Sequence, residues 1–207
     1  MRFIAPLAAA LALLATAAFA SDIPPTSSRV RVGDQAPAFS LELLNGEGEI
    51  CVGETKGCND RIKILVFWSF FCFPCQDEMP SLQKFHEENK DTVDVIGIGL
   101  DGHEYDNFVM PFIKKHKLTL PLTYDRSTVD FFEVAEKYGV VGTPTFFVID
   151  LQNRIRFMQL GRIEPDIMAK IVESAKTQSF CADIVRLPKG ATPKIQNAPE
   201  GQEQPKP

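Results

Sequence analysis

The sequence has little of what marks the more specialised classes of protein. Its 207 residues include one tryptophan, three histidines and five cysteines, and 22 basic against 27 acidic residues leave a net charge of −5. No internal repeat and no block of one charge sign stands out. This composition excludes a collagenous, wholly disordered or multispanning membrane chain, and nothing in it indicates nucleic-acid binding. Five cysteines are too few for a miniprotein held by disulfides and are odd in number, which indicates that part of the sulfur does chemistry.

The N-terminus predicts a secretory signal peptide over residues 1–20. Arg2 precedes an apolar stretch that closes on Ala18-Phe19-Ala20, a small-residue pattern typical of cleavage before Ser21. An uncleaved membrane anchor is the alternative, although the Ala-rich stretch 3–19 is near the lower length limit for crossing a bilayer. We therefore expect an exported protein in an oxidising compartment, where disulfides persist.

The chain after the signal peptide predicts one domain between two loose ends. Residues 182–207 lose apolar periodicity and carry five prolines, so they are expected to form a flexible tail. Residues 21–31, which include Pro24 and Pro25, are expected to form a second flexible segment. The remaining residues, 32–181, are enough for one well-buried core.

Strand and helix patterns alternate within that domain. Apolar runs at residues 64–68, 93–98 and 145–149 are typical of strands covered on both faces, and residues 154–160 alternate as an antiparallel neighbour would. A strand pair near residues 39–43 comes before them. Helical patterns fall between the strands, with apolar stripes after Tyr105 and Pro165 and a capping-box pattern at residues 127–130. The order predicts an α/β fold in which helices flank a central mixed sheet.

The chemistry is concentrated in the Cys72-Phe73-Pro74-Cys75 motif. It comes directly after a predicted buried strand and at the start of a helical segment, so both sulfurs can bond within the first helical turn. A helix N-terminus carries a partial positive charge and unpaired N–H donors, which stabilise a thiolate and lower its pKa. Cys72 is therefore the candidate nucleophile, and Cys75 the thiol that resolves a mixed disulfide.

Metal sites are the main alternative for a Cys-x-x-Cys motif. A zinc site would need Cys51 and Cys58, but six residues separate them, more than is usual between paired zinc thiolates. A c-type haem site is excluded because Gln76, not histidine, follows the motif. A copper-binding module of the chaperone type would need His or Met at the same mouth, whereas the three histidines are expected at the surface.

Three local features give the chain a family likeness. Trp68 lies four residues before Cys72, Pro74 precedes the second cysteine, and Gly142-Thr143-Pro144-Thr145 leads into a later strand. With these motifs the chain resembles the thioredoxin superfamily, and within it the exported TlpA/ResA-like branch of thiol:disulfide oxidoreductases. The likeness covers residues 32–177 and implies a thioredoxin-like domain at 32–181.

Further features resemble that branch in particular. Residues 33–39 look like its G-x-x-A-P-x-F opening into an N-terminal strand pair, and residues 75–80 match its C-x-x-E-x-P continuation. An additional α/β unit, roughly residues 104–124, lies where these proteins insert one. A thiol peroxidase has a related fold, but it places Pro and Thr upstream of its cysteine, where this chain has Leu65 and Ser69.

The resemblance implies roles for individual residues. Pro144 matches the family's cis-proline. Ordinary thioredoxins carry a buried aspartate at the position where this chain has Val66. In the ResA-like branch a glutamate three residues after the second cysteine is present instead, and here that residue is Glu78. Desolvation would raise the pKa of Glu78, which would then accept the Cys75 proton. An exposed first-turn glutamate is the alternative. The catalytic residues expected are thus Cys72, Cys75, Glu78 and Pro144, and the substrate-binding residues expected are Thr143, Phe73, Phe71 and Trp68.

The resemblance also implies partners and a compartment. The expected substrates are disulfide-containing exported proteins, such as apocytochrome c or metal-site assembly proteins, and electrons would come from a membrane donor of the DsbD or CcdA type. The expected location is the bacterial periplasm or the outer face of the cytoplasmic membrane, and no cofactor, metal or nucleic acid is expected. Because Phe73 provides no charge to the motif, a reductant is favoured, with a disulfide oxidant or isomerase as the alternative.

The other three cysteines predict structural roles. Cys51 and Cys58 lie in an insertion between the strand pair and the strand that leads to the motif, and a local disulfide between them is favoured over a second redox pair. Cys181 lies at the junction with the tail. It could pair with either of these two, stay free, link elsewhere or pack as an apolar residue.

Overall fold

The computed structural model describes residues 30–53, 57–58, 60–128 and 131–177. The predicted signal peptide, residues 21–29, Cys181 and the predicted tail lie outside the described residues. None of the helices in the described part is long and apolar enough to cross a membrane. The elements, with a 3-10 turn at His103–Tyr105, are β1 Phe39–Glu42, β2 Glu49–Val52, β3 Ile62–Trp68, α1 Phe73–Asn89, β4 Val93–Gly99, α2 Asp106–His116, β5 Leu122–Tyr124, β6 Ser127–Thr128, β7 Phe131–Phe132, α3 Glu133–Tyr138, β8 Thr145–Ile149, β9 Ile155–Leu160 and α4 Pro165–Lys176.

The central sheet has five strands in the order β5-β4-β3-β8-β9. Strand β3 pairs parallel with β4 and antiparallel with β8, and β9 pairs antiparallel with β8. Strands β1 and β2 form the separate N-terminal pair. The predicted fold, a central mixed sheet flanked by helices with an N-terminal strand pair and an inserted α/β unit, is confirmed. The inserted unit consists of the 3-10 turn, α2 and β5.

The core has one hydrophobic cluster on each face of the sheet. Alternate residues of β3 enter opposite clusters, so Ile64 and Val66 point to one face while Leu65 and Phe67 point to the other. Helices α1, α2 and α4 cover the first face, and α3 with the β1–β2 pair covers the second. Burial on both faces explains why β3 is an uninterrupted apolar run apart from Lys63, whose ammonium pairs with Asp94 at 2.9 Å.

A glycine is required at position 97 of β4, because the side chains of Leu122 and Trp68 lie close to its backbone. A Cβ at this position would lie 2.5 Å from the Leu122 side chain and 3.3 Å from the Trp68 indole nitrogen. Both distances are too short for a side chain to fit without movement of its neighbours. The missing side chain therefore leaves room for the Trp68 ring beside β4.

The predicted capping box at residues 127–130 is wrong. Ser127–Thr128 pairs as a strand with Phe131–Phe132, and α3 begins only at Glu133. The amides at its start are satisfied from further upstream, because the buried Asp125 carboxylate accepts from Val134 N–H at 2.9 Å and Ala135 N–H at 2.7 Å. A tertiary cap thus replaces the local one that the sequence pattern indicated.

Replacing Asp125 with alanine should reduce the free energy of unfolding by about 1–3 kcal/mol, because two buried amides lose their acceptor. Urea unfolding measures the loss. Asp166→Ala is the matched control, since Asp166 is likewise a carboxylate at a helix N-terminus, in the first turn of α4, but it is 71% exposed and forms a surface ion pair with Lys170. That control should cost less than about 1 kcal/mol. Equal losses for the two variants would contradict the capping role.

Candidate active site

The two motif cysteines lie at the start of α1 and are joined by a disulfide. Cys72 is the N-cap residue, and its sulfur accepts a hydrogen bond from the Cys75 amide at 3.3 Å. Pro74 is in the first turn, where a missing N–H costs nothing. Cys72 is half-buried and Cys75 is 1% exposed, so a partner molecule can reach only the first sulfur.

The loop before Cys72 is held by a buried carboxylate. Asp101, two residues beyond the end of β4, accepts from Ser69 Oγ and from the Phe70 amide, each at 2.7 Å. Ser69 Oγ in turn accepts from the Phe71 amide at 3.1 Å. The Gln76 side chain donates to the Phe70 carbonyl from the first turns of α1. These bonds fix the backbone that presents Cys72.

Asp101 was not among the residues predicted from the sequence. The sequence does contain a pattern that indicates it, because Asp101 comes shortly after a long apolar run that predicts a buried strand. The carboxyl ends of parallel strands meet at one edge of a sheet, which is where ligands bind. Parallel pairing of β4 with β3 brings Asp101 to the loop that follows Trp68. The same rule applied to the sequence would have placed this carboxylate near the motif.

The Thr143–Pro144 peptide bond is cis. Strand β8 begins at Thr145, which lies opposite Phe67 in the antiparallel pairing with β3. The Thr143–Pro144 corner therefore lies at the same edge of the sheet as the loop that leads to Cys72. Pro144 is buried and Thr143 is half-buried, which leaves the residue before the proline accessible at this edge.

Glu78 lies three residues after Cys75 on α1 and is 5% exposed. Its Oε1 accepts from the Ile163 amide at 3.0 Å, and Arg162 Nε lies 3.8 Å from Oε2. Within the described residues, no donor lies within hydrogen-bond distance of the buried Oε2. Burial raises the pKa of the Glu78 carboxyl above its usual value, while the Ile163 amide and Arg162 oppose the rise. Glu78 is thus a buried carboxyl on the same helix as Cys75, not an exposed first-turn residue.

The predicted substrate-binding aromatics separate into two groups. Phe71 and Phe73 flank Cys72 and are 57% and 78% exposed. Trp68 is 1% exposed and packs against Phe112 with ring centroids 6.1 Å apart, so its side chain does not reach the surface that a substrate would touch. The expectation that Trp68 binds substrate is corrected for this reason. It supports the loop from within the core.

Cys51 and Cys58 form a disulfide with their Cα atoms 5.1 Å apart. It ties the end of β2 to the segment that precedes β3. Because each sulfur is bonded to the other, neither is free to act as a zinc thiolate. Within the described residues, no group of three or more His, Cys, Asp or Glu side chains is arranged to hold a metal ion. Cys181, the remaining cysteine, lies outside the described residues.

A cysteine pair at a helix N-terminus, after a buried strand of a mixed sheet and beside a cis-proline corner, defines a thioredoxin-like thiol-disulfide oxidoreductase. The comparisons with known proteins agree. A family model described as the AhpC/TSA family matches residues 32–158, and the chain belongs to this thioredoxin-like family.

Named relatives place the chain more closely. It is 30% identical over 168 residues to the thiol-disulfide oxidoreductase ResA of Oceanobacillus iheyensis, covering 80% of this chain and 84% of the relative. It is 29% identical to the thioredoxin-like protein YneN of Bacillus subtilis, covering 64% of this chain and 73% of the relative. The predicted ResA-like resemblance and the predicted enzyme class are therefore confirmed.

Solved structures show the same fold. The crystal structure of StoA from Bacillus subtilis matches with a TM-score of 0.55 and 25% identity, covering 66% of this chain and 96% of that one. A thiol:disulfide interchange protein of the thioredoxin family from Chlorobium tepidum matches with a TM-score of 0.58 and 20% identity, covering 72% of this chain and 99% of that one. The thioredoxin-like fold is thus confirmed.

Asp101→Asn should lower the pKa of the Cys72 thiol in the reduced protein, because a buried negative charge at the loop disfavours a thiolate beside it. It should also cost about 1–3 kcal/mol of unfolding free energy, since one loop donor would lose its acceptor. The ultraviolet absorbance of the thiolate against pH measures the first effect and urea unfolding the second. Asp77→Asn, 71% exposed near the start of α1, is the control and should change both less. An unchanged Cys72 titration in Asp101→Asn would contradict the electrostatic role.

Proposed function

We propose that the protein is an extracytoplasmic reductant that opens disulfides in exported proteins. The observation that carries this proposal is the unequal exposure of the two sulfurs. Cys72 lies half-exposed at the helix N-terminus, whereas Cys75 is buried one turn deeper, on the same helix as the buried Glu78. An accessible nucleophile backed by a protected thiol is the arrangement that disulfide exchange requires.

In the proposed reaction the Cys72 thiolate attacks one sulfur of the substrate disulfide. That S–S bond breaks, the other substrate sulfur leaves as a thiolate, and a mixed disulfide with Cys72 forms. Cys75 then loses its proton, attacks the Cys72 sulfur and releases the second substrate sulfur. Two electrons pass to the substrate, and the protein ends with its Cys72–Cys75 disulfide. A dithiol donor in the membrane, of the DsbD or CcdA type, would reduce it again.

Glu78 is the proposed acceptor of the Cys75 proton. A carboxylate whose pKa is raised by burial is a stronger base than an exposed one, and it is also less hydrated. Oε2 is the oxygen that could take the proton, since no donor of the described residues lies within hydrogen-bond distance of it, whereas Oε1 already accepts from Ile163. Arg162 at 3.8 Å favours the ionised form, so the carboxyl keeps its capacity to act as a base.

The substrate is proposed to bind across the edge of the sheet next to Cys72. The Thr143 backbone, held at the turn by the cis bond to Pro144, would pair with an extended segment of the substrate. Phe71 and Phe73 would contact side chains on either side of the substrate cysteine. Apocytochrome c and proteins that assemble metal sites are the proposed substrates, in a bacterial periplasm or at the outer face of the cytoplasmic membrane.

The direction of electron flow is proposed from the residues around Cys72. Thioredoxin and the oxidant DsbA differ by about 150 mV, or about 7 kcal/mol in the relative stability of the reduced and oxidised forms. Much of that difference comes from stabilisation of the thiolate. Phe73 adds no charge beside Cys72, and the Asp101 carboxylate beneath the loop disfavours a second negative charge. Both features favour a reductant.

The Cys75→Ala variant should retain its substrates as stable mixed disulfides on Cys72, because the resolving thiol is absent. The measurement is mass spectrometry of Cys72-linked proteins captured from an exporting bacterium. The double variant Cys72→Ala, Cys75→Ala should capture nothing. If Cys75→Ala retains no protein and Cys72 resists alkylation, the exchange mechanism is wrong. If a glutathione titration gives the Cys72–Cys75 pair a redox potential near that of DsbA, the protein is an oxidant and the proposed direction of electron flow is wrong.

Glu78→Gln should slow the step in which Cys75 displaces the group bound to Cys72, by about tenfold or more, because a base is lost. The reaction can be followed after Cys72 is loaded with thionitrobenzoate, whose release by Cys75 is coloured. In the wild type this rate should fall as the pH drops through the raised pKa of Glu78, since only the carboxylate accepts a proton. Glu78→Gln should lose that dependence.

Arg162→Gln provides a check in the opposite sense. Removing a nearby cation raises the pKa of Glu78 further, so the fall in rate should move to higher pH. Lys84→Gln is the control, since Lys84 lies on the same helix, is 76% exposed and pairs only with Glu88. If all variants keep the wild-type rate and pH profile, Glu78 has no part in the mechanism.

A further inference from the structure

The inserted unit contributes a patch of exposed aromatic rings beside the redox motif. Phe71 of the loop contacts Tyr105 and Phe108, with ring centroids 5.0 Å and 6.3 Å apart. The three side chains are 57%, 37% and 48% exposed. We call these three residues the aromatic surface. Phe71 also immediately precedes Cys72, so this surface adjoins the accessible sulfur.

The aromatic surface is held in place from beneath. Phe70 contacts Phe71 edge-to-face at 5.5 Å and stacks on Phe108 at 5.9 Å. Phe112 contacts Phe70 at 5.8 Å and Trp68 at 6.1 Å, which continues the series of rings into the core. The exposed rings are therefore fixed in position and can bind a partner without first being ordered, which lowers the entropic cost of binding.

The exposed rings of the aromatic surface indicate a binding site. Contiguous exposed apolar patches on soluble proteins usually mark a site of interaction, and aromatic side chains contribute much of the binding energy at such sites. The occupant here is limited by the chemistry of Cys72. A disulfide substrate must place its own sulfur against Cys72, so its neighbouring residues must pass over Phe71 or Phe73. An extended chain advances about 3.3 Å per residue, so side chains two or three positions from the substrate cysteine can reach Tyr105 and Phe108.

The charge at the edge of the aromatic surface is negative. Glu104 and Asp106 flank Tyr105 in the chain, and both are at least partly exposed. Among the described residues next to Tyr105 in the chain, the side chain that can carry a positive charge is His103, whose Nδ1 lies 3.2 Å from Asp106. A substrate segment that carries positive charge should therefore associate faster than an acidic one, and its charges should help to align it along the surface.

We propose that the aromatic surface is the specificity site of the enzyme and binds an apolar side chain two or three residues from the cysteine of a positively charged, extended substrate segment. Tyr105 and Phe108 are then specificity-determining residues contributed by the inserted unit. The inference rests on the proposed disulfide reduction and names the class of segment that is reduced fastest.

The test uses three synthetic peptides, each with its cysteine in a disulfide with glutathione. The first carries phenylalanine two residues from the cysteine among lysines and serines, the second replaces that phenylalanine with serine, and the third replaces the lysines with glutamates. For stoichiometric reduced wild-type protein, whose dithiol supplies the two electrons, the second-order rate constant for reduction of the first should exceed that for the second by about tenfold, the discrimination expected for burial of one large apolar side chain. The third should react more slowly than the first at low salt and approach it at high salt.

Variants then locate the preference. In Phe108→Ala the ratio of the second-order rate constants for the first two peptides should fall towards one, and Phe108→Leu should restore most of it by keeping an apolar side chain. Phe131→Ala is the matched control, because Phe131 is an aromatic residue of similar exposure, 46%, in β7. It should keep the wild-type ratio. Tyr105→Ala provides a second test if Phe108→Ala proves unstable.

The outcomes separate this inference from the function on which it rests. If the wild-type protein reduces neither the peptides nor oxidised glutathione, the proposed reduction itself fails. If it reduces all three peptides equally, or if Phe108→Ala and Phe131→Ala have the same effect on the ratio, the reduction stands and the specificity site is wrong.

Discussion

The site depends on the position of one buried strand. Strand β3 lies in the middle of the sheet, and its pairing with β4 on one side and β8 on the other fixes where its C-terminal end lies. Around that end lie the three parts of the site, namely the loop and helix with the cysteines after β3, the Asp101 carboxylate after β4, and the Thr143–Pro144 corner before β8. Each belongs to a different strand end, so none can move far without disturbing the core.

The electrostatics of the two sulfurs follow from their depth. Cys72, at the helix N-terminus, faces solvent and a partial positive charge, which favours a thiolate. Cys75 is covered, and a buried thiol needs a local base before it can attack. Glu78 is held one turn further along by the Ile163 amide, a contact made from the segment between β9 and α4. In the proposed mechanism, thiol activation therefore depends on the helix dipole at the surface and on a desolvated carboxyl in the interior.

Much of this could be predicted from the sequence, because the informative patterns are local. The apolar runs of β3, β4 and β8 locate the central strands to within two residues, and the Cys-x-x-Cys spacing indicates a helix start. The features that were missed depend on contacts between distant residues. Asp101 reaches the Ser69 hydroxyl across 32 positions, and Asp125, the residue after β5, caps α3 in place of the local capping pattern. The burial of Trp68 depends on Gly97, whose missing side chain is meaningful only once β3 and β4 are paired.

In the proposed specificity site, the inserted unit adds selectivity to the redox site without a change in its chemistry. One side of α2 is part of the core, where Val109 is fully buried and Phe112 packs on Trp68. The rings on its outer side, with Tyr105 from the preceding turn, contact Phe71 of the loop. Substitutions on that outer side remove less buried area than substitutions in the core, so they should alter stability less. The surface that contacts a substrate can therefore vary while the thiol chemistry beneath it stays the same.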